Sequence, residues 1–184
     1  MSKGKLPQPV EKLLDTLYDE KIKEYKTLRK IRPGMLLLYG YDAKYKDTLK
    51  YWDALPVMLL MYMDGKHIAG LNLHYIPWTY RINFAKYLFE EQKGHITWKG
   101  IKRAWRKAKI PGAYAYYAYR KYLISHIRTS IKVFNKETYL PVVKNVLPEF
   151  KKMEDAMIYA DIRRRLKEAS MKNRKKVSVR RRKK

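Results

Sequence analysis

The chain has 184 residues, 46% of them hydrophobic and 17 of them Tyr, which suits one folded domain with extensions and excludes wholesale disorder. Forty-three Lys and Arg stand against 17 Asp and Glu, a formal net charge of +26 that exceeds what solubility requires and calls for a polyanionic partner. There is no Cys, which removes disulfides, thiolate nucleophiles and Cys-ligated zinc, and no apolar run approaches the roughly 20 residues that span a bilayer, so nucleic acid ranks ahead of a membrane.

In chain order, the opening "MSKGKLPQPVEK" lacks the apolar stretch and cleavage site of a secretory signal, and the Cys-free composition is compatible with a reducing cytoplasm. "VEKLLDTLYDEKIKEYKTLRK" then carries Val10, Leu13, Leu14, Leu17, Tyr18, Ile22, Tyr25 and Leu28 at helical spacing. Pro9 suits the first turn of this amphipathic helix, Pro33-Gly34 its end, and its acids crowd the first half as the helix dipole favours. "MLLLYGY", Met35 to Tyr41, is a short apolar run bounded by turn residues and reads as a strand. Tyr45, Tyr51 and Trp52 should pin the polar loop that follows to the body. "LPVMLLMYM" and "KHIAGLNLHY" flank Asp64-Gly65, a hairpin signal because both residues tolerate positive φ. Short strands so closely linked predict an α+β fold built on a small, bent antiparallel sheet or SH3-like barrel.

Pro77 opens a helix that runs to near Gly94, with Tyr80, Phe84, Tyr87 and Leu88 on one side. Thr97 is the N-cap of the next, where Trp98, Ile101 and Trp105 form an inner face and Lys99, Lys102, Arg103, Arg106 and Lys107 an outer one. "AYAYYAYRKYLISHIRTSIKVF" suits a strand by its Tyr-Ala alternation and a helix by Tyr116, Tyr119 and Leu123; the reading adopted is helix to about Ile124, then strand over Thr129 to Phe134. Residues 135–150 supply a short extended or helical piece. From Pro148 a last helix, with Phe150, Met153, Met157 and Ala160 along one side, emerges from the core into a basic tail. The expected organisation is a helical arm over 1–33, an α+β core over 34–150, and a C-terminal helix and tail over 151–184.

Two regions concentrate charge. From Lys93 to Lys132 there are 11 Lys or Arg and no acid, interleaved with Trp98, Trp105 and five Tyr between Tyr114 and Tyr122. From Arg163 to Lys184 there are 13 Lys or Arg and one acid, Glu168. Such runs order along phosphates as counterions are released. The candidate DNA contacts are therefore Lys99, Lys102, Arg103, Arg106, Lys107, Lys109, Arg120, Lys121 and Arg128 in the folded part. To these the C-terminal region adds Arg163, Arg164, Arg165, Lys172, Arg174, Lys175, Lys176, Arg180, Arg181 and Arg182. Helix spacing assigns the aromatics mainly to core packing, with stacking on bases as the alternative. For the tail, the bland alternative is a solubilising or targeting role.

Catalytic patterns are missing. The four His, at 67, 74, 95 and 126, show no metal-ligand spacing, and there is no Walker-type loop, no GxGxxG and no GxSxG, so no catalytic residue, metal or cofactor is assigned. Asp42, Asp47, Asp53 and Asp64 would serve a metal-dependent nuclease only if clustered, and their loops are dominated by Lys and aromatic residues. "GLNLHYIPWTYR", Gly70 to Arg81, looks most like an active site. With period two, however, Leu71 and Leu73 face one side while Asn72 and His74 face the other, free to hydrogen-bond to loops. With no nucleophile or metal partner nearby, it reads as a strand-to-helix joint.

"GMLLLYGYDAKYKDTLKYWDALPVMLLM", "GLNLHYIPWTYR", "RKYLISHIRTSIKVF" and "LPVVKNVLPEF", in that order, resemble the DNA end protector proteins of T-even type tailed phages, the gene-two products. The resemblance spans about Gly34 to Phe150 and rests on Tyr41, Asp42, Trp52, Asp53, Gly70, Asn72, His74, Tyr75, Pro77, Arg81, Tyr122, His126 and Arg128. It implies a non-enzymatic virion protein, made in the host cytoplasm, that binds the ends of packaged linear double-stranded DNA near the portal and shields them from exonuclease. Portal, neck or other head proteins are the implied protein partners, with a ring or other multi-copy assembly as the implied form, and no membrane is involved. A head-completion or neck adaptor without end protection, and a ribosomal-type RNA-binding protein, are the alternative readings.

Overall fold

The computed structural model describes residues 8, 12, 22–25, 31–90, 96–134 and 136–182. Gln8 and Lys12 are helical, and most of the predicted N-terminal helix lies outside the described residues. Within its span, Ile22–Tyr25 is instead a strand, β1, antiparallel to β7, Ile131–Phe134. A four-residue segment gains ladder hydrogen bonds from a distant edge strand, a contribution that local spacing does not contain.

The remaining strands are β2 (Leu36–Leu38), β3 (Trp52–Asp53), β4 (Val57–Met63), β5 (His67–Asn72), β6 (Tyr119–Leu123) and β8 (Phe150–Lys151). The helices are α1 (Trp78–Glu90), α2 (Trp98–Lys107), α3 (Ala113–Ala118), α4 (Lys136–Asn145) and α5 (Asp155–Arg182), with 3-10 turns at Leu73–Tyr75 and Ile124–His126. One antiparallel sheet runs in the order β1-β7-β2-β4-β5-β6, and β3 pairs with β8 in a second ladder. The protein is thus mixed helix and antiparallel sheet, as expected from its sequence.

The sheet is buried on both faces, which explains why "MLLLY" and "VMLLM" are continuous apolar runs rather than alternating ones. Leu36, Leu38, Val57, Leu59, Leu71 and Phe134 face the helices, joining Phe84 and Leu88 of α1, Ile101 and Ala104 of α2, Val142 and Val143 of α4, and Ile158 and Ile162 of α5. Leu37, Tyr39, Met58, Leu60, Ile68, Tyr122, Ile131 and Val133 fill a second core on the other face. Gly70 is required by packing, since a Cβ there would lie 2.1 Å from the Leu59 carbonyl oxygen on β4. Gly34, at φ +92, makes the turn into β2, where the Tyr139 hydroxyl of α4 donates to its carbonyl at 3.1 Å and accepts from the Leu36 amide at 3.0 Å.

Several expectations are corrected. The hairpin forms where expected, but neither Asp64 nor Gly65 takes positive φ; Asp64 Oδ1 closes the turn by accepting from the amides of Lys66 and His67 at 2.7 and 2.6 Å. The helix expected to reach Ile124 stops at Ala118, because Tyr119–Leu123 pairs with the edge of β5, Ile68 opposite Tyr122 and Gly70 opposite Arg120. Residues 136–145 are helical, and the final helix starts at Asp155 rather than near Pro148, because Phe150–Lys151 pairs with β3. Its buried stripe is Ile158 and Ile162 followed by the partly buried Leu166, whereas Met157 is exposed. Trp98, assigned to an inner face, is 55% exposed; being in the first turn of α2, it precedes the part that packs on α1.

Candidate nucleic-acid interface

The polar residues of the Gly70–Arg81 stretch converge on Asp53, a buried carboxylate of β3. Asn72 Nδ2 donates to Asp53 Oδ2 at 2.9 Å and to the Tyr122 hydroxyl at 2.7 Å, while its Oδ1 accepts from the His74 amide at 3.0 Å and caps the 3-10 turn. His74 Nδ1 lies 2.7 Å from Asp53 Oδ2, and its Nε2 lies 3.1 Å from the Val146 carbonyl. Asp53 Oδ1 accepts from the amides of Leu55 at 3.0 Å and Glu149 at 3.3 Å. Burial pushes the Asp53 carboxyl up, but the charge and hydrogen bond of His74, with the bonds from Asn72 and Leu55, carry it below its ordinary value. Burial drives the Tyr122 phenol well above its ordinary value.

This geometry makes a joint. Both ring nitrogens of His74 face oxygen atoms inside the fold, and at 1% exposure neither is open to a substrate. The cluster ties β3, the end of β5, β6 and the segment between α4 and β8 together. Tyr159 of α5 adds a hydrogen bond from its hydroxyl to the His74 carbonyl at 2.7 Å. Arg81, one turn into α1, is also buried; its Nε and Nη1 have no hydrogen-bond partner among the described residues. Burial lowers its pKa, while Tyr159, Asp53 and Asp155 pull the other way. Among the described residues no group of three or more His, Asp or Glu is placed to hold a metal ion.

A second cluster joins the end of β2 to the turn after β6. Tyr41 bridges Ile127 and sets its ring edge-on to Tyr122 at 4.7 Å, and His126 Nδ1 lies 2.9 Å from the Asp42 carbonyl. Arg128 reaches Asp42 Oδ2 at 3.3 Å, so this predicted DNA contact already has an acidic partner. Desolvation raises Asp42, and the hydrogen bonds and charges of Lys46 and Arg128 together outweigh it, leaving the carboxyl below its ordinary value.

The predicted cations therefore fall into groups. Lys99, Lys102, Arg103, Arg106, Lys107 and Lys109 are exposed on α2 and the turn that follows, within a stretch that contains no acid. Arg163, Arg164 and Arg165 are exposed on α5, where Arg164 and Arg165 each approach Asp161 to 2.8 Å and Arg164 also pairs with Glu168. Lys172, Arg174, Lys175, Lys176, Arg180, Arg181 and Arg182 lie on the same helix, which continues to Arg182 through what reads in sequence as a tail.

Arg120, Lys121 and Arg165 meet at a cavity of about 700 Å³ that also takes Lys44, Tyr45, Lys50, Tyr51 and Trp52 from the segment before β4. The Arg120 guanidinium lies 4.1 Å over the Tyr75 ring, and Lys50 Nζ lies 2.9 Å from Asp161. Lys44, Lys50 and Tyr45, which line this cavity, are not among the contacts expected from the sequence, where the alternation of Lys and Tyr in "AKYKDTLKYW" reads only as anchorage.

Fold and site together define an α+β protein whose buried titratable cluster serves its architecture and whose exterior is cationic. No helix among the described residues is long and apolar enough to cross a membrane. The chain belongs to the Phage T4 terminal DNA protecting protein family, whose model matches residues 8–178. No curated protein and no solved structure matches it.

Proposed function

We propose that the protein binds the ends of packaged linear double-stranded DNA and shields them from exonuclease, without catalysis. The observation that carries this reading, beside family membership, is the acid-free exposed face of α2, with the 28-residue basic helix α5 as a second cationic element. A helix of this length extends about 42 Å, enough to follow phosphates well beyond the domain. The absence of catalysis is supported by Asp53 and His74, whose polar atoms are buried and hydrogen-bonded inside the fold. The order β7-β2-β4-β5-β6, with a 3-10 turn joining β6 to β7, supports reading the sheet as an SH3-like barrel.

In this reading the protein resides in the virion beside portal or neck proteins, in several copies, and cross-linking of intact particles tests that placement. The function itself is tested by exonuclease digestion of linear DNA against the same duplex with hairpin-closed ends nicked once internally. Protection of the open ends with no protection at the nick is the expected result. Equal protection of both substrates refutes end binding.

A further inference from the structure

We propose that the cavity between the 41–53 segment and β6 receives one unpaired nucleotide at the DNA terminus, its phosphate on the rim cations and its base against the aromatic residues of the segment. The proposal rests on the end-binding reading and adds how an end is told from the middle of a duplex.

Size decides the class of ligand. A volume of about 700 Å³ falls within the range of small-ligand pockets, whereas an intact duplex is far too wide to enter. Only a base outside the stack can reach the interior, and a frayed or overhanging terminal nucleotide is such a base. Chemistry points the same way. Tyr45 is 62% exposed, and Tyr51 and Trp52 are half-buried, which leaves ring surface for stacking. Lys44 and Lys121 are exposed at the rim, and Arg120 is held over the Tyr75 ring rather than by an acid. Among the described residues the one carboxylate in the wall, Asp53, already accepts hydrogen bonds from His74, Asn72 and two backbone amides, which leaves it poorly disposed to a cationic ligand.

The cavity is also held ready. The Lys152 ammonium, 5.7 Å from the Trp52 ring centre, donates to the carbonyls of Lys46, Asp47 and Leu49, the last two at 3.1 and 3.2 Å. Tyr51 stands edge-on to Phe150 at 6.2 Å. The segment therefore needs little ordering when a nucleotide enters.

The test uses the full chain and a duplex closed by a hairpin at one end, with a single unpaired 2-aminopurine nucleotide at the other. Parallel substrates carry an abasic nucleotide at that position, 2-aminopurine in an internal single-nucleotide gap of a closed dumbbell, or no open end at all. The expected result is quenching of terminal 2-aminopurine and binding about fivefold or more tighter than to the abasic end, the scale of one base stacked on an aromatic ring. Tyr45→Ala, an exposed substitution, should remove most of that difference with urea unfolding unchanged, while Lys121→Ala should weaken both substrates alike.

Preference for open ends over dumbbells with unchanged fluorescence and no abasic penalty overturns the cavity proposal and leaves end binding standing. Equal quenching in the internal gap overturns its terminal specificity. No preference for open ends overturns the end-binding reading and this proposal with it.

Discussion

Replacing Asp53 by Ala takes away the acceptor of hydrogen bonds from His74 Nδ1, Asn72 Nδ2 and the amides of Leu55 and Glu149, and leaves the His74, Asn72 and Leu55 donors without it in a site closed to solvent. Removing one partner of a buried ion pair costs about 3–5 kcal/mol. Against a total stability of about 5–15 kcal/mol, that is a large share of what holds the domain folded. At about 2–4 °C per kcal/mol for a chain of this size, the melting temperature should fall by about 6–20 °C. Urea unfolding followed by circular dichroism reads the change directly. The folded-state pKa of Asp53 is depressed, so its stabilisation is fully present above the unfolded carboxylate value of about 3.9 and is lost as pH falls through the folded value. The gap between wild type and variant should therefore close on acidification. A loss below about 1 kcal/mol would refute the joint, given the usual cost of a single buried unsatisfied group. So would loss of end protection by a variant still fully folded at the assay temperature, because that would make Asp53 a functional group.

Gly70→Ala forces a Cβ against the Leu59 carbonyl oxygen, which belongs to backbone and cannot rotate away; a destabilisation of about 3 kcal/mol or more is expected in the same unfolding experiment. The Asp64 carboxyl is held at about 2, first by the Lys66 amide, against desolvation, with the amide and ring of His67 adding to it. The hairpin contact should accordingly persist below the unfolded carboxylate range and be lost only as pH falls through about 2, read from the Lys66 and His67 amide shifts by NMR; a midpoint at the ordinary value would contradict the turn. Replacing Lys99, Lys102 and Arg106 together by Ala should weaken binding of all DNA sequences alike and lower the slope of log affinity against log salt by about 1 for each phosphate that is no longer neutralised. An unchanged slope would remove α2 from the interface.

Features whose cause is local could be read from the chain before any folding was considered. Asp64-Gly65 sets the hairpin, Thr97 accepts from the Gly100 amide at 3.2 Å as the cap of α2, and Pro77 begins α1, because capping and turn chemistry depend only on near neighbours. The motif "GLNLHY" was legible as a joint, since its missing nucleophile and metal partners could be seen without a structure. Elsewhere distant edges decided. Ile22–Tyr25 and Tyr119–Leu123 carry helical spacing, yet each lies beside a strand whose unpaired N–H and C=O groups it satisfies. That Asn72 and His74 find Asp53, and that Lys44, Tyr45, Arg120 and Arg165 surround one cavity, follows from pairing of β3 with β8, of β5 with β6, and packing of α5. Composition set the charge of the surface, but long-range packing selected which cations meet an acid and which surround a cavity, because proximity between remote segments is a property of the folded chain.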